Sequence, residues 1–115
     1  MKPKYYPKGW GYELWIHNDE SYCGKLLFFE KGKRCSWHYH KKKVETFYLQ
    51  SGKMLVKYGN IDDKEVAFET LLTPGDAFEI PRGRRHQMTA LEDSELFEFS
   101  TEHFEDDSIR IKKGD

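Results

Sequence analysis

The stretch GKRCSWHYHKKKVETFYLQSG at residues 32–52 decides the fold, because it places three ionisable residues at fixed spacing within strand-like apolar sequence. Side chains alternate between the two faces of a β-strand, so His38 and His40 point the same way. The segment 41–44 is short enough to form a turn, which brings Glu45 back beside the two histidines at the start of the next strand. We therefore expect these three side chains to meet.

A second stretch, GDAFEIPRGRRHQMTA at residues 75–90, supplies a fourth residue of the same kind. Its turn contains Pro81 and Gly83, and His86 begins the strand that follows. Converging imidazoles and a carboxylate suit a first-row divalent metal ion such as Zn, Fe, Ni, Co or Mn. The sequence therefore predicts one divalent transition metal site with four ligands: His38, His40, Glu45 and His86.

Apolar residues elsewhere come in short runs bounded by Gly, Pro, Asp and Asn, with few stripes of helical spacing. This pattern predicts an all-β sandwich or barrel. The predicted strands occupy residues 22–29, 35–40, 44–50, 53–58, 65–72, 76–80, 86–91 and 95–101. Pro74 and Gly75 stand at the central positions of a predicted type II turn. The tail at 102–115 is expected to form a short helix or one last strand.

Length and charge limit the classes of protein to which the chain can belong. A length of 115 residues predicts a single domain at 1–115. The net charge of −1 gives no electrostatic case for binding nucleic acid and is compatible with a homodimer. No segment resembles a signal peptide or a membrane span, and Cys23 and Cys35 are not in a CxxC pattern. We therefore expect a cytoplasmic protein with free thiols and no membrane partner.

Both quoted stretches resemble the two motif patterns of the cupin superfamily, G-x5-H-x-H-x4-E-x6-G and G-x5-P-x-G-x2-H-x3-N. Every defining position is present except the last, where Ala90 replaces the Asn. The resemblance implies a single-domain cupin jelly-roll β-barrel, with metal motifs at 32–52 and 75–90, that holds its metal through the four residues named above. The superfamily includes isomerases, dioxygenases, epimerases, decarboxylases and sugar binders, so the motifs leave the reaction open.

The flanking sequence is similar to the cupin domain of type II phosphomannose isomerases. The similar segments are PKGWGYE at 7–13, KLLFFEKG at 25–32 and EDDSIR at 105–110. This resemblance implies a metal-dependent aldose–ketose isomerase of a sugar phosphate, in which Glu45 could move the proton. Two alternatives stay open: a non-haem Fe(II) dioxygenase of a small molecule, and a non-catalytic protein that binds a sugar or nucleotide sugar.

Four further side chains are candidates for contact with a small-molecule substrate. Phe47 and Met88 share strand parity with Glu45 and His86 and should line the barrel interior. Lys25 anchors a substrate oxygen if it faces inward and is a surface ammonium if it faces outward. Among the arginines before His86, Arg84 either contacts a substrate phosphate or carboxylate or belongs to a solvated loop.

Several other residues receive structural expectations. Lys41, Lys42 and Lys43 are expected to form a solvated turn, because three like charges repel. Trp37 and Tyr39 fall on the face opposite His38 and His40, so we expect a second sheet or a homodimer partner to cover them. The two remaining histidines, His17 and His103, have no predicted role.

Overall fold

The computed structural model describes residues 2–115, which form eleven strands and two short 3-10 turns in two antiparallel sheets. In chain order the strands are β1 (Lys4–Lys8), β2 (Gly11–Asn18), β3 (Cys23–Phe29), β4 (Trp37–Tyr39), β5 (Glu45–Ser51), β6 (Met54–Gly59), β7 (Phe68–Leu72), β8 (Ala77–Ile80), β9 (Arg85–Ala90), β10 (Ser94–Ser100) and β11 (Ile109–Lys112). The 3-10 turns span Lys64–Val66 and Glu105–Asp107. No helix of residues 2–115 has the length and apolar character that crossing a membrane requires.

The two sheets face each other as a jelly-roll sandwich. The first sheet has the strand order β1-β2-β3-β10-β5-β8, and the second has the order β11-β4-β9-β6-β7. Alternate residues of the strands point between the sheets and form one apolar core. Its members are Trp10, Leu27, Phe29, Cys35, Phe47, Leu49, Met54, Val56, Leu72, Ile80, Met88, Ala90 and Leu96.

The predicted strands correspond to β3 through β10, and one boundary differs by more than two residues. The segment 64–66 forms a 3-10 turn, so β7 begins at Phe68, three residues after the predicted start. The predicted turn at 73–76 is confirmed, because the Asp76 amide donates to the Thr73 carbonyl at 3.0 Å and Gly75 has φ +97°. The tail contains both predicted elements, a 3-10 turn and β11.

The hairpin of β1 and β2 was not predicted among the strands. Pro7 lies inside β1, and proline lacks the amide hydrogen that a central strand needs. β1 lies at the edge of its sheet and pairs with β2 alone, so Pro7 is tolerated there. Proline and glycine are typical of loops, so their presence between residues 7 and 11 gave no indication that this segment belongs to two strands of the sheet.

The expectation that a partner covers Trp37 is wrong. Its side chain is fully buried within this chain, and its indole N–H donates to the Asp62 carbonyl at 2.8 Å. Tyr39 is covered in part by Arg85, whose guanidinium carbon lies 3.8 Å from the centre of the ring. The loop between β6 and β7 folds back over the outer face of the second sheet, which short-range sequence patterns do not reveal.

Three glycines test how far close backbone packing stabilises the sandwich. Gly52 has φ +93°, and a Cβ there would collide with Ser94 and Asp93. Gly75 also has positive φ but open space around it, whereas Gly24 has neither constraint. In chemical denaturation, Gly75→Ala should lower the free energy of unfolding by about 1 kcal/mol. Gly52→Ala should cost clearly more, and Gly24→Ala should be neutral or stabilising. Equal effects of the three substitutions would contradict this packing.

Candidate metal centre

The second sheet and the adjoining loops bring the two histidine motifs together. His38 of β4 lies opposite His86 of β9 in the antiparallel register. The Gly83 amide, in the turn before β9, donates to the His40 carbonyl at 2.8 Å. Strand pairing and this turn contact therefore fix the two motifs relative to each other.

Backbone carbonyls orient all three imidazoles in the same sense. Nδ1 of His38 lies 2.9 Å from the Ser36 carbonyl oxygen, and Nδ1 of His86 lies 3.0 Å from the Arg84 carbonyl oxygen. Nδ1 of His40 lies 3.0 Å from the carbonyl oxygen of residue 107. A carbonyl oxygen can only accept, so each Nδ1 carries the proton and each Nε2 presents a lone pair. The ligand nitrogens of the three rings lie within 4.8 Å of one another.

Glu45 lies beside this cluster and is buried. Its Oε2 atom is 3.2 Å from Nε2 of His40 and 3.3 Å from Nε2 of His86. Neither oxygen of Glu45 makes a hydrogen bond within residues 2–115, and Nε2 of His86 is also buried without one. Buried polar atoms without partners are costly, so their convergence marks a place where a cation would be favoured.

The donor set fits a divalent metal ion. Two donor atoms that are each about 2.1 Å from one ion lie roughly 3.0 Å apart at a right angle, close to the separations from Glu45 to the two nitrogens. Burial, with His86 and His40 nearby, lowers the pKa of His38 well below its ordinary value and keeps the ring neutral, as a ligand must be. His38, His40 and His86 could therefore hold a metal ion.

The expectation that the three lysines form a solvated turn is wrong for Lys43, which is buried. Lys41 and Lys42 are exposed as predicted. The Lys43 side chain is 2% exposed, and Nζ lies 2.9 Å from Glu98, 3.4 Å from Glu45 and 3.0 Å from Nδ1 of His103. Burial alone would raise the pKa of Glu45, but the Lys43 ammonium together with His40 and His86 outweighs it and holds that pKa well below its usual range. Two buried carboxylates compensate the buried ammonium.

The histidines open into a cavity of about 310 Å³ between the sheets. Three of the predicted substrate contacts, Lys25, Phe47 and Met88, line it. Lys25 faces inward, with its side chain 2% exposed and Nζ 3.4 Å from Glu13. His103, to which the sequence assigned no role, also lines this cavity. A histidine outside both motifs gives no spacing signal that could have identified it.

Arg84, the fourth predicted substrate contact, is not among the residues that line this cavity. Its guanidinium carbon lies 5.6 Å from the centre of the Tyr58 ring. Arg82 donates to the Lys42 carbonyl at 2.7 Å, and Arg85 is paired with Asp62 at 2.9 Å. These contacts hold the turn before β9 in place, and they direct Arg82 and Arg85 toward neighbouring loops.

Asp107 is a second residue that sequence reasoning missed. Its buried carboxylate accepts hydrogen bonds from the backbone amides of Lys41, Lys42 and Lys43 at 2.9 to 3.2 Å. Its own carbonyl accepts the Nδ1 proton of His40. One residue thus holds both the histidine and the turn that leads to Glu45, which makes it a positioning residue for the cluster.

Two antiparallel sheets around a charged cavity with a three-histidine cluster define a jelly-roll protein with a potential metal site. The sequence matches the family model described as "Cupin domain" over residues 25–100, which is most of the chain. The chain therefore belongs to the cupin family, and the predicted fold class is confirmed. A comparison with curated proteins gave no match.

Solved structures with the same fold come from several proteins. The capsular polysaccharide assembling protein CapF from Staphylococcus aureus gives a TM-score of 0.83 at 17% identity over 97% of this chain and 32% of CapF. KdgF from Halomonas sp. gives 0.76 at 20% identity over 90% and 91% of the two chains. A variant of oxalate decarboxylase from Bacillus subtilis gives 0.80 at 21% identity over 94% and 30%. The chain spans about one third of the length of CapF.

Replacement of Asp107 tests its role as a positioning residue. Asp107→Asn replaces one of the two oxygens that accept from these three amides with an NH2 donor, so the turn at 41–43 should loosen and the affinity for Zn²⁺ or Co²⁺ should fall roughly 10- to 100-fold. Asp106→Asn is the matched control, because the neighbouring Asp106 side chain is exposed. Metal titration by calorimetry measures both variants. Unchanged affinity in Asp107→Asn would show that the anchor does not act on the site.

Proposed function

We propose that this cupin is a metal-dependent isomerase that interconverts the aldose and ketose forms of a sugar phosphate such as mannose 6-phosphate. The observation that carries the proposal is the convergence of three imidazole lone pairs and the buried Glu45 carboxylate at the cavity between the sheets. We propose His38, His40, Glu45 and His86 as the ligands of one divalent ion, with Zn, Fe, Mn, Ni and Co as candidates.

The charges of the cavity favour an anionic substrate. Its lining contains five basic and five acidic side chains, which balance one another. A bound divalent cation would leave the lining with a net charge of about +2, which complements a phosphate dianion. The basic members are Lys8, Lys25, Lys43, Arg110 and Lys113.

In such a reaction, different residues of the chain would bind the ion, contact the substrate and exclude water. When bound, the ion would supply Lewis-acid stabilisation of negative charge that develops on substrate oxygens. Phe47 and Met88 exclude water from one side, and Lys25 contacts a substrate oxygen. The lowered pKa of Glu45 makes it a weak base, so its role as a ligand is favoured over its predicted role in proton transfer.

Similarity in sequence and fold supports a carbohydrate ligand. The flanking segments at 7–13, 25–32 and 105–110 resemble the cupin domain of type II phosphomannose isomerases, and one similar structure is that of a capsular polysaccharide assembling protein. A cytoplasmic setting is part of the proposal, and the two free buried cysteines, Cys23 and Cys35, support it.

A metal-by-substrate screen tests the proposal. Protein treated with a chelator and reloaded singly with Zn, Fe, Mn, Ni or Co is assayed for conversion of mannose 6-phosphate to fructose 6-phosphate. Metal-dependent turnover is expected in the wild type. His40→Ala should lose bound metal and activity together, whereas His17→Ala, outside the cluster, should retain both. Elemental analysis reports the metal content.

Two other outcomes would replace the isomerase with the alternatives from the sequence. Oxygen uptake with Fe(II) and a small substrate, without isomerisation, would indicate a dioxygenase. Saturable binding of a sugar phosphate or nucleotide sugar without turnover under any metal would indicate a binding protein. Unchanged metal content in His40→Ala would refute the ligand assignment itself.

We further propose that the chain forms a homodimer through the outer face of its first sheet. On that face, a row of cross-strand neighbours, one from each of the six strands, contains no charged residue. A sheet face in contact with water would be expected to carry polar side chains. The members of the row are Tyr5, Leu14, Leu26, Phe97, Tyr48 and Ala77. Six strands of four to eight residues, at about 4.8 Å between strands and about 3.3 Å per residue, give roughly 600 Å². Two such faces together reach about 1,200 Å², at the lower end of the range of stable interfaces.

Charged substitutions on this face should produce monomers. Phe99 is 56% exposed on the outer face of the first sheet, and Tyr48 is 37% exposed. Phe99→Glu and Tyr48→Glu should each lower the mass measured by light scattering from that of a dimer to that of a monomer, because a dimer would bury the new carboxylate. Phe68→Glu, at a 67% exposed position on the second sheet, is the control and should stay dimeric. A monomeric wild type refutes this interface.

A further inference from the structure

His103 is held rigidly at the wall of the cavity, although it belongs to neither metal motif. Its backbone amide donates to the Asn18 side chain at 2.8 Å, and the Asn18 amide group donates to the His103 carbonyl at 3.0 Å. The ring packs edge-on against Trp15 at 5.1 Å and lies 6.4 Å from the His40 ring, between centroids. Its side chain is 7% exposed. The ring therefore has a fixed place beside the cluster.

The contact with Lys43 determines which nitrogen of His103 carries the proton. An ammonium group can only donate, so Nδ1 of His103 accepts from Lys43 at 3.0 Å and the proton of the neutral ring is on Nε2. Nε2 makes no hydrogen bond to any of residues 2–115, and the exposed Glu105 carboxylate is 3.9 Å from it. His103 thus has the opposite tautomer to the three cluster histidines and presents an N–H donor.

Lys25 presents a second donor on the same wall. Its ammonium lies 4.3 Å from the centre of the Trp15 ring, which also packs against His103. Lys43 distributes its protons among three partners, whereas Lys25 has a single carboxylate contact, with Glu13. Glu13 is itself shared, because it also accepts the Trp15 indole N–H at 2.8 Å. Donors of Lys25 therefore remain for a ligand.

We propose that Lys25 and His103 form an oxyanion subsite, separate from the histidine cluster, that binds a carboxylate or phosphate oxygen of the ligand. Both side chains present donors toward the cavity, and a carboxylate or phosphate oxygen can accept from them in addition to the Glu13 carboxylate that already contacts Lys25. Burial and the nearby Lys43 lower the pKa of His103 to about 2, so the ring stays neutral and keeps this tautomer. The inference rests on the proposed use of the cavity for an anionic ligand.

Binding of inorganic phosphate to the metal-free protein tests the subsite without reference to turnover. Calorimetry should show saturable binding that His103→Leu and Lys25→Gln each weaken at least fivefold. His103→Gln should retain most of the binding, because its amide can donate. Lys57→Gln removes one positive charge at a lysine outside the cavity and should leave the affinity unchanged. Thermal unfolding of each variant verifies that it is folded.

A second measurement uses the wild-type protein alone. Long-range nitrogen–proton correlation spectra should show His103 protonated at Nε2, and His38, His40 and His86 protonated at Nδ1. A proton on Nδ1 of His103 overturns the subsite, as does phosphate binding that responds equally to Lys57→Gln or does not respond to His103→Leu and Lys25→Gln.

The two proposals fail separately. If phosphate binds through Lys25 and His103 but no metal supports isomerisation, the isomerase is refuted and the subsite is supported. If isomerisation is found but His103→Leu changes neither phosphate binding nor the KM for the sugar phosphate, the subsite is refuted and the isomerase is supported.

Discussion

The site depends on three hydrogen bonds in which backbone carbonyls fix the tautomer of an imidazole. The carbonyls belong to Ser36, Arg84 and Asp107, which lie on three different segments, before β4, before β9 and before β11. Each bond directs one Nε2 lone pair inward. Without that common direction the rings would be polar groups in an apolar core rather than a set of ligands. The jelly-roll order is what brings three such segments to one end of the sandwich.

A chain of alternating charges makes the polar interior tolerable. Glu45, Lys43 and Glu98 follow one another at 3.4 and 2.9 Å, and all three are buried. Each charge has an opposite neighbour, so the interior avoids the cost of an isolated ion. The same ammonium fixes the tautomer of His103. Lys43 therefore links the histidine cluster to the neighbouring part of the cavity wall, which contains His103.

The sequence was sufficient for the fold and for the convergence of the four motif residues. Motif spacing and strand alternation are local properties, and they identify His38, His40 and His86 without reference to tertiary contacts. Burial of Lys43, the anchoring by Asp107 and the position of His103 depend on contacts between segments 55 to 67 residues apart. No local pattern encodes such contacts. In a run of three lysines, the sequence alone predicts that each side chain is exposed to solvent. Trp37 was placed on the correct face, but its cover comes from its own loop.

The link between His40 and Asp107 also concerns the order of events during synthesis. The two residues are 67 positions apart, and the Asp107 carbonyl that orients His40 belongs to a segment that follows β10. A nascent chain that has emerged only as far as β9 already contains all three histidines but lacks the contact that orients one of them. Ordered assembly of the cluster therefore waits until the segment that contains Asp107 has left the ribosome.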